Sequence, residues 1–314
     1  MDPAPAGGVI SRHEGCLRVN SAKRRVGVVL HILEDQPFGQ RFMEDFRTAL
    51  SEADAGLSVE FFDSHGNPAD QVHHLETLLG TRPDALVVMV VEPESVKPLL
   101  RRYRQAQIPV IAVDSDPGEP GLYSAMVLAD NRAIGQKVAE FFVEASGGRA
   151  EILEIRGHPG SSPAALRSQG FREVVARHPG MRILETLTGD WFGDRAHDAV
   201  RAWLPDHPTT DCVFAQNDEM ARGAWEAARE LGREEELLIT GVDAIKGLGL
   251  SMVMQGKIGA TMMNPSAGRP VADRLLSLLA GEPVLERTLL QTSLFRSNER
   301  VRSWQAARAK REKR

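Results

Sequence analysis

Short runs of β-branched and aliphatic residues alternate along the chain with longer segments whose apolar positions recur every three or four residues. That alternation belongs to parallel strands wrapped by helices, an α/β fold. Strands are expected at 26–31, 58–62, 85–91, 110–113, 151–155, 182–186, 212–215, 237–242 and 258–261. Between the first two, 38–53 sets Phe42, Phe46, Ala49, Leu50 and Ala53 on one helical face. One open sheet does not comfortably hold so many strands in this length, and Pro117, Gly118, Pro120 and Gly121 interrupt the alternation within 116–128. A crossover between lobes is expected over that run. From Asn131 the alternation restarts, so the fold class is α/β with two doubly wound parallel-sheet lobes joined by a hinge. The expected division is a disordered leader at 1–24, an N-terminal lobe of 25–128 plus 264–291, a C-terminal lobe of 129–263 plus 292–303, and a basic tail at 304–314 that reads as solvated or frayed.

Composition narrows the function. The 314 residues suffice for two cores, and no apolar run approaches the roughly 20 residues that span a bilayer, so no direct membrane insertion is expected. A formal net charge of -5 disfavours nucleic acid and leaves a small molecule as the fitting partner. Cys16 and Cys212 have neither metal nor redox spacing, and Cys212 in its apolar run reads as a core residue. The opening residues lack the continuous apolar segment of a secretory signal, which leaves the compartment open.

Ligands of open α/β sheets sit beyond the carboxyl ends of the strands. Asp114, Asn217 and Asp243 occupy such exits. A carboxylate accepts from neighbouring hydroxyls and an amide both donates and accepts, so the set suits a polyol, although each residue singly is also a common helix cap or turn former. Phe38 and Trp191 follow strands where a ring could lie against the C–H face of a sugar or simply pack the core. Arg167 could offer its planar fork to ligand oxygens, or be an ordinary exposed helix arginine.

Catalytic patterns are absent from the sequence. After the first strand there is no G-x-G-x-x-G and no P-loop, and no G-x-S-x-G elbow occurs anywhere. The adjacent His73 and His74 point to different sides of a helix. Asp114 and Asp243 could be cast as a glycosidase pair, but with Arg167 and Asn217 they equally describe a cage that reads hydroxyls. No enzyme activity, metal or cofactor is expected.

Five stretches together resemble a known family: Val213-Phe-Ala-Gln-Asn-Asp-Glu-Met-Ala-Arg-Gly-Ala224, Phe62-Asp-Ser-His-Gly-Asn-Pro68, Ile108-Pro-Val-Ile-Ala-Val-Asp114, Ala129-Asp-Asn131 and Gly157-His-Pro-Gly-Ser-Ser-Pro163. They are similar to the periplasmic sugar-binding proteins of the ribose-binding type, whose type I fold is shared with the effector cores of lactose-repressor-like regulators. The resemblance covers about 25–297. It implies ligand contacts at Gln36, Phe38, Asp114, Arg167, Trp191, Asn217, Asp243 and Asn264. Where ribose binders carry an arginine after the fourth-strand acid and a second aromatic after the Phe38 match, this chain has Ser115 and Gly39. That points away from ribose, toward a hexose, a cyclic polyol such as inositol, or a related hydroxylated metabolite.

The resemblance further implies hinge closure on the ligand, a periplasmic or cell-envelope location, and either ABC transporter membrane subunits or a sensor kinase as the partner that reads the closed form. A cytoplasmic regulator is the second class, favoured by the missing signal segment. It is disfavoured because roughly 60 residues of helix-turn-helix and hinge normally precede such a core. A sugar-modifying enzyme is the third, distinguished by turnover of the bound sugar.

Overall fold

The computed structural model describes residues 23–31 and 36–313. Most of the expected leader, with Cys16, lies outside the described residues. In chain order the first elements are β1 (Arg25–Leu30), α1 (Pro37–Glu52), β2 (Ser58–Asp63), α2 (Pro68–Thr81), β3 (Ala85–Val88), α3 (Pro93–Gln105), β4 (Val110–Val113) and β5 (Ala125–Ala129). There follow α4 (Asn131–Ser146), β6 (Arg149–Arg156), α5 (Ser162–Val175), β7 (Gly180–Thr188), α6 (Gly193–Trp203), β8 (Cys212–Ala215), α7 (Asp218–Glu230), β9 (Leu238–Asp243), α8 (Gly249–Met254) and β10 (Ala260–Met263). The chain ends with α9 (Gly268–Leu279), β11 (Arg287–Leu290), β12 (Leu294–Arg296) and α10 (Asn298–Arg311).

Two six-stranded sheets result, ordered β2-β1-β3-β4-β5-β11 and β7-β6-β8-β9-β10-β12. The two windings correspond strand for strand. Their last strands differ, since β11 runs parallel to β5 whereas β12 runs antiparallel to β10. Strands β3, β4, β5 and β8 are buried at every residue, as central parallel strands covered on both faces must be, which is why they read as unbroken apolar runs. One face of the first sheet packs Val28, Val87 and Ile111 under Phe42, Phe46, Val271 and Leu275, and the other packs Val29 and Val88 under Leu75, Leu99 and Leu100. In the second, Ile152 and Phe214 meet Phe142 and Phe171, while Val213 and Ile239 meet Ala196, Val200 and Ala224. Cys212 is a buried core residue.

Two expectations need correction. The run 116–128 is not itself the crossover: from Ala125 it forms β5 between β4 and β11, and the chain leaves the first sheet only at Asp130, which caps α4. The turn residues before Ala125 hid a strand of five. Nor do residues 304–313 form a solvated or frayed tail. Residues to Arg311 continue α10, with the Trp304 ring fully buried and its indole N–H donating to the carbonyls of Asp211 (3.2 Å) and Glu236 (3.1 Å). Arg308 and Arg311 pair with Asp211 beside it. One large ring, with Val301 beside it, anchors a helix whose local pattern has no continuous apolar face. Strands β11 and β12 were also unmarked by pattern, being short and largely half-buried or exposed.

Helices α4 and α5 touch backbone to backbone. A Cβ on Gly135 or Gly170 would lie 2.0 Å from the carbonyl oxygen of Arg167 or Arg132, so only glycine allows this approach. The contact sets Arg167 against Asn131 at the first residue of α4.

Candidate functional site

Each strand order reverses once, between β1 and β3 in the first sheet and between β6 and β8 in the second. Such switch points, beyond the carboxyl ends of the strands, are where open α/β sheets hold ligands. Here the two face one another across a cavity of about 320 Å³, near the small end of the roughly 300–1,000 Å³ of ligand pockets. All eight residues singled out from the sequence line it. Gln36 and Phe38 open α1, Asp114 follows β4 and Arg167 lies on α5. Trp191 and Asn217 precede α6 and α7, Asp243 ends β9, and Asn264 follows β10.

Arg167 is buried rather than exposed. Its Nε donates to Asn131 Oδ1 (2.9 Å), its Nη1 donates to the Gln216 carbonyl, and its guanidinium carbon stands 5.6 Å from the Trp191 ring centre. Trp191 in turn rests on Gly157, where an added Cβ would fall 2.2 Å from the indole. The Trp191 carbonyl accepts from Gln36 Nε2 (3.1 Å) of the first lobe and from Asn217 Nδ2 (2.9 Å) of the second. Asn217 Oδ1 accepts from the Met220 N–H (2.8 Å), so this side chain is also the cap of α7. Phe38 has both roles weighed for it, packing against the first core while lining the cavity.

Asp114 and Asp243 are buried on the wall. Asn264 donates to Asp243 (3.2 Å) and hydrogen-bonds Asp114 as well. Burial pushes the Asp114 carboxyl above its ordinary range against the pull of Arg167, and raises Asp243 to about 6. Burial likewise draws the Arg167 guanidinium down, with Asp243 and Asp114 opposing. Asp218 lies behind Asp243 and is pushed well up by burial and then by Asp243's charge. The backbone is strained in the same place: φ is 58° at Asp114, 72° at Trp191 and 109° at Asp243. Positive φ is tolerable for Asp but costly for a bulky residue, and such strain concentrates at functional sites.

Sequence reasoning missed the histidine-bearing end of the cavity, formed by His31, His65, His158, Asp190 and Arg195. His158 Nδ1 lies 2.8 Å from Asp190 Oδ1, and Arg195 pairs with the other carboxylate oxygen. Burial would raise Asp190, but His158 and Arg195 together hold it below the usual carboxylate range. His31 is drawn down to about 4, chiefly by burial. The only available signal was position, since His31 and His158 follow β1 and β6 at the strand exits. Ser115 and Gly39, the two departures from the ribose pattern, also face the cavity. Among the described residues no cluster of His, Cys, Asp or Glu is placed to hold a metal ion, and no helix is long and apolar enough to cross a membrane.

Comparison with known proteins agrees with this fold. The profile of the periplasmic binding protein domain family matches residues 26–283. A xylitol-binding protein of Mycolicibacterium smegmatis is 28% identical over 277 residues, 86% of this chain and 76% of the relative. The ribose import binding protein RbsB of Salmonella typhimurium is 29% identical over 262 residues, 81% of this chain and 86% of its own. Among solved structures, the fructose-binding periplasmic domain of a hybrid two-component system superposes with a TM-score of 0.84 at 27% identity, covering 92% of this chain and 96% of that one.

Proposed function

Because the chain belongs to the periplasmic binding protein domain family, we propose that it is a solute-binding protein whose lobes close around one small sugar or polyol, and not an enzyme. The observation that carries this is the cavity between two switch points, walled by two carboxylates, a guanidinium and an indole. Carboxylates accept from adjacent hydroxyls, the guanidinium donates to ring or hydroxyl oxygens, and the indole covers an apolar sugar face. Gln36, Phe38, Asp114, Arg167, Trp191, Asn217, Asp243 and Asn264 are the contacts we assign. Relatives named for xylitol and ribose support the ligand class. Ser115 and Gly39 leave room that a ribose-type arginine and ring would fill, which favours a hexose, a cyclic polyol or a related compound over ribose.

Closure follows from where the contacts reside. Phe38 and Asp114 come from the first lobe and Arg167, Trp191, Asn217 and Asp243 from the second, so a ligand touching both sets stabilises the closed arrangement. We assign the closed surface to the membrane subunits of an ABC importer, or to a sensor kinase as the hybrid two-component relative suggests, and we place the protein in the periplasm or cell envelope. The test is a thermal-shift screen against pentoses, hexoses, inositols and sugar phosphates, because a ligand of the folded state must raise the melting temperature. A rise with a neutral or substituted sugar, and its recovery unaltered from the complex, is the expected result. A flat screen across all of them overturns the ligand class.

A further inference from the structure

Gln216 stands between β8 and Asn217 and does not line the cavity. Its side chain is completely buried, yet both of its polar atoms are partnered. Nε2 donates to Glu154 Oε1 (3.0 Å), the Ser168 hydroxyl (2.9 Å) and the Ala164 carbonyl (3.2 Å), while Oε1 accepts from the Gly157 N–H (3.1 Å). A backbone N–H can only donate, so the carboxamide has one workable orientation, with its oxygen on Gly157 and its NH2 on Glu154. Glu154 is itself fully buried and surrounded by donors, since Oε1 also accepts from the Ser168 hydroxyl and Oε2 accepts from Arg172 (2.8 Å) and Thr186 (3.1 Å). The network is satisfied throughout, and such networks hold their members in a single arrangement.

Two assigned ligand contacts depend on this amide. Gly157 is the surface on which the Trp191 indole rests, with room for no Cβ between them. Trp191 has a φ of 72°, and its carbonyl accepts from Asn217, the residue after Gln216. One strand exit therefore holds both the peptide under the indole and the carbonyl of the indole's own residue. On α5, Ala164 and Ser168 flank Arg167, and the backbone carbonyl of Gln216 accepts from Arg167 Nη1. Removing the amide leaves the buried Gly157 N–H without its acceptor, a larger loss than the bond alone. The loop relieves that loss by moving, and the indole moves with it.

Resting on the reading of Trp191 and Arg167 as ligand contacts, we propose that Gln216 is a positioning residue of the site. Without touching the ligand, it fixes the height of the indole through Gly157 and the reach of the guanidinium through α5.

The test reads Trp191 first without ligand and then with it. The share of Trp191 in the tryptophan emission is the difference between each variant and the same variant carrying Trp191→Phe, with acrylamide quenching to report exposure. Gln216→Ala is expected to shift that share to longer wavelength and to raise its quenching. Gln216→Asn, whose carboxamide is drawn back by one methylene, takes its place if the alanine variant does not fold. Isothermal titration with D-fructose, xylitol and myo-inositol should show the affinity for whichever binds falling at least about fivefold, the worth of one hydrogen bond. The exchange of Gln216→Glu with Glu154→Gln keeps an acceptor for Gly157 and an N–H···O bond between the two side chains, so it should return both readouts toward wild type. Trp304→Ala, destabilised away from this network, should lower the melting temperature and move neither readout.

Emission and affinity both unmoved in a folded Gln216 variant would overturn the proposal. So would a loss of affinity with the emission unmoved, a shift in emission with the affinity intact, or an exchange that folds and restores neither. Binding by none of the three probes, with a Trp191 shift that the exchange reverses, would support the positioning role and count against the ligand class alone.

Discussion

The side-chain amide of Gln36 donates to the backbone carbonyl of Trp191 across 3.1 Å, joining residues 155 apart in sequence and on opposite lobes. The same carbonyl accepts from Asn217, so the strained turn carrying the indole is held by its own lobe and latched by the other. Gln36→Ala removes the latch together with the cavity contact assigned to the same amide. Affinity should fall at least about fivefold, the worth of one hydrogen bond of about 1 kcal/mol, with little change in the melting temperature of the ligand-free protein. Titration calorimetry and a thermal melt check the two halves.

Asn217 and Asp243 separate binding from folding. Asp243→Ala deletes a buried acceptor and should weaken binding by about 1–3 kcal/mol. Asn217→Ala removes the cap of α7 as well, so it should lower stability by about 1 kcal/mol in addition to weakening binding. Parallel urea melts and titrations of the two variants give the comparison, and wild-type affinity in both would place the ligand elsewhere.

Gly157 does not line the cavity itself but lies under the Trp191 indole. Gly157→Ala places a methyl inside the indole's volume, and the ring must move. Ligand affinity should fall at least about tenfold, on the scale of 1–3 kcal/mol for overpacking. A shift in tryptophan emission should accompany the loss, and an unperturbed spectrum with full affinity would show that the ring is not a ligand platform.

Asp243 and His31 contribute opposing parts to the pH dependence of the ligand-free protein. Asp243 is raised to about 6 in the fold, so the folded state binds the extra proton from about pH 4 to 6, and its contribution to stability is present at low pH and lost as pH rises through 6. His31 is lowered to about 4, so the unfolded chain binds the extra proton below about 6.5, and its contribution is lost as pH falls toward 4. The two oppose one another across the same window. Asp243→Asn removes the first part and also lifts Asp243's charge from Asp218, a second raised carboxyl of the same sign, so its melting temperature should fall more steeply than that of the wild type between pH 6.5 and 4.5. Parallel thermal melts across that range decide it.

Trp304 lies far along the chain from every cavity residue and fills the second core. Trp304→Ala should cost about 3–5 kcal/mol of stability, measured by chemical denaturation, while the folded fraction keeps its ligand affinity.

What the sequence determined by itself was local. Burial on both faces makes β3, β4 and β8 unbroken apolar runs, and a one-sided helix repeats every three to four residues, so the doubly wound lobes could be read directly. The site was legible because residues such as Asp114, Asn217 and Asp243 stand at strand exits, where the fold class alone says a ligand must sit, and because the surrounding stretches resemble a family. Tertiary structure decided everything that depends on residues distant in the chain. Strand β5 is a strand because β4 and β11 flank it, and α10 is anchored because Asp211 and Glu236 receive the Trp304 indole. Likewise His31 is driven toward its neutral form only through burial, and the space above Gly157 matters because Trp191 folds onto it. The reason is physical: hydrophobic periodicity is a property of neighbours in sequence, whereas the protonation, strain and hydrogen-bond commitments of a cavity belong to groups that meet only when the two lobes do.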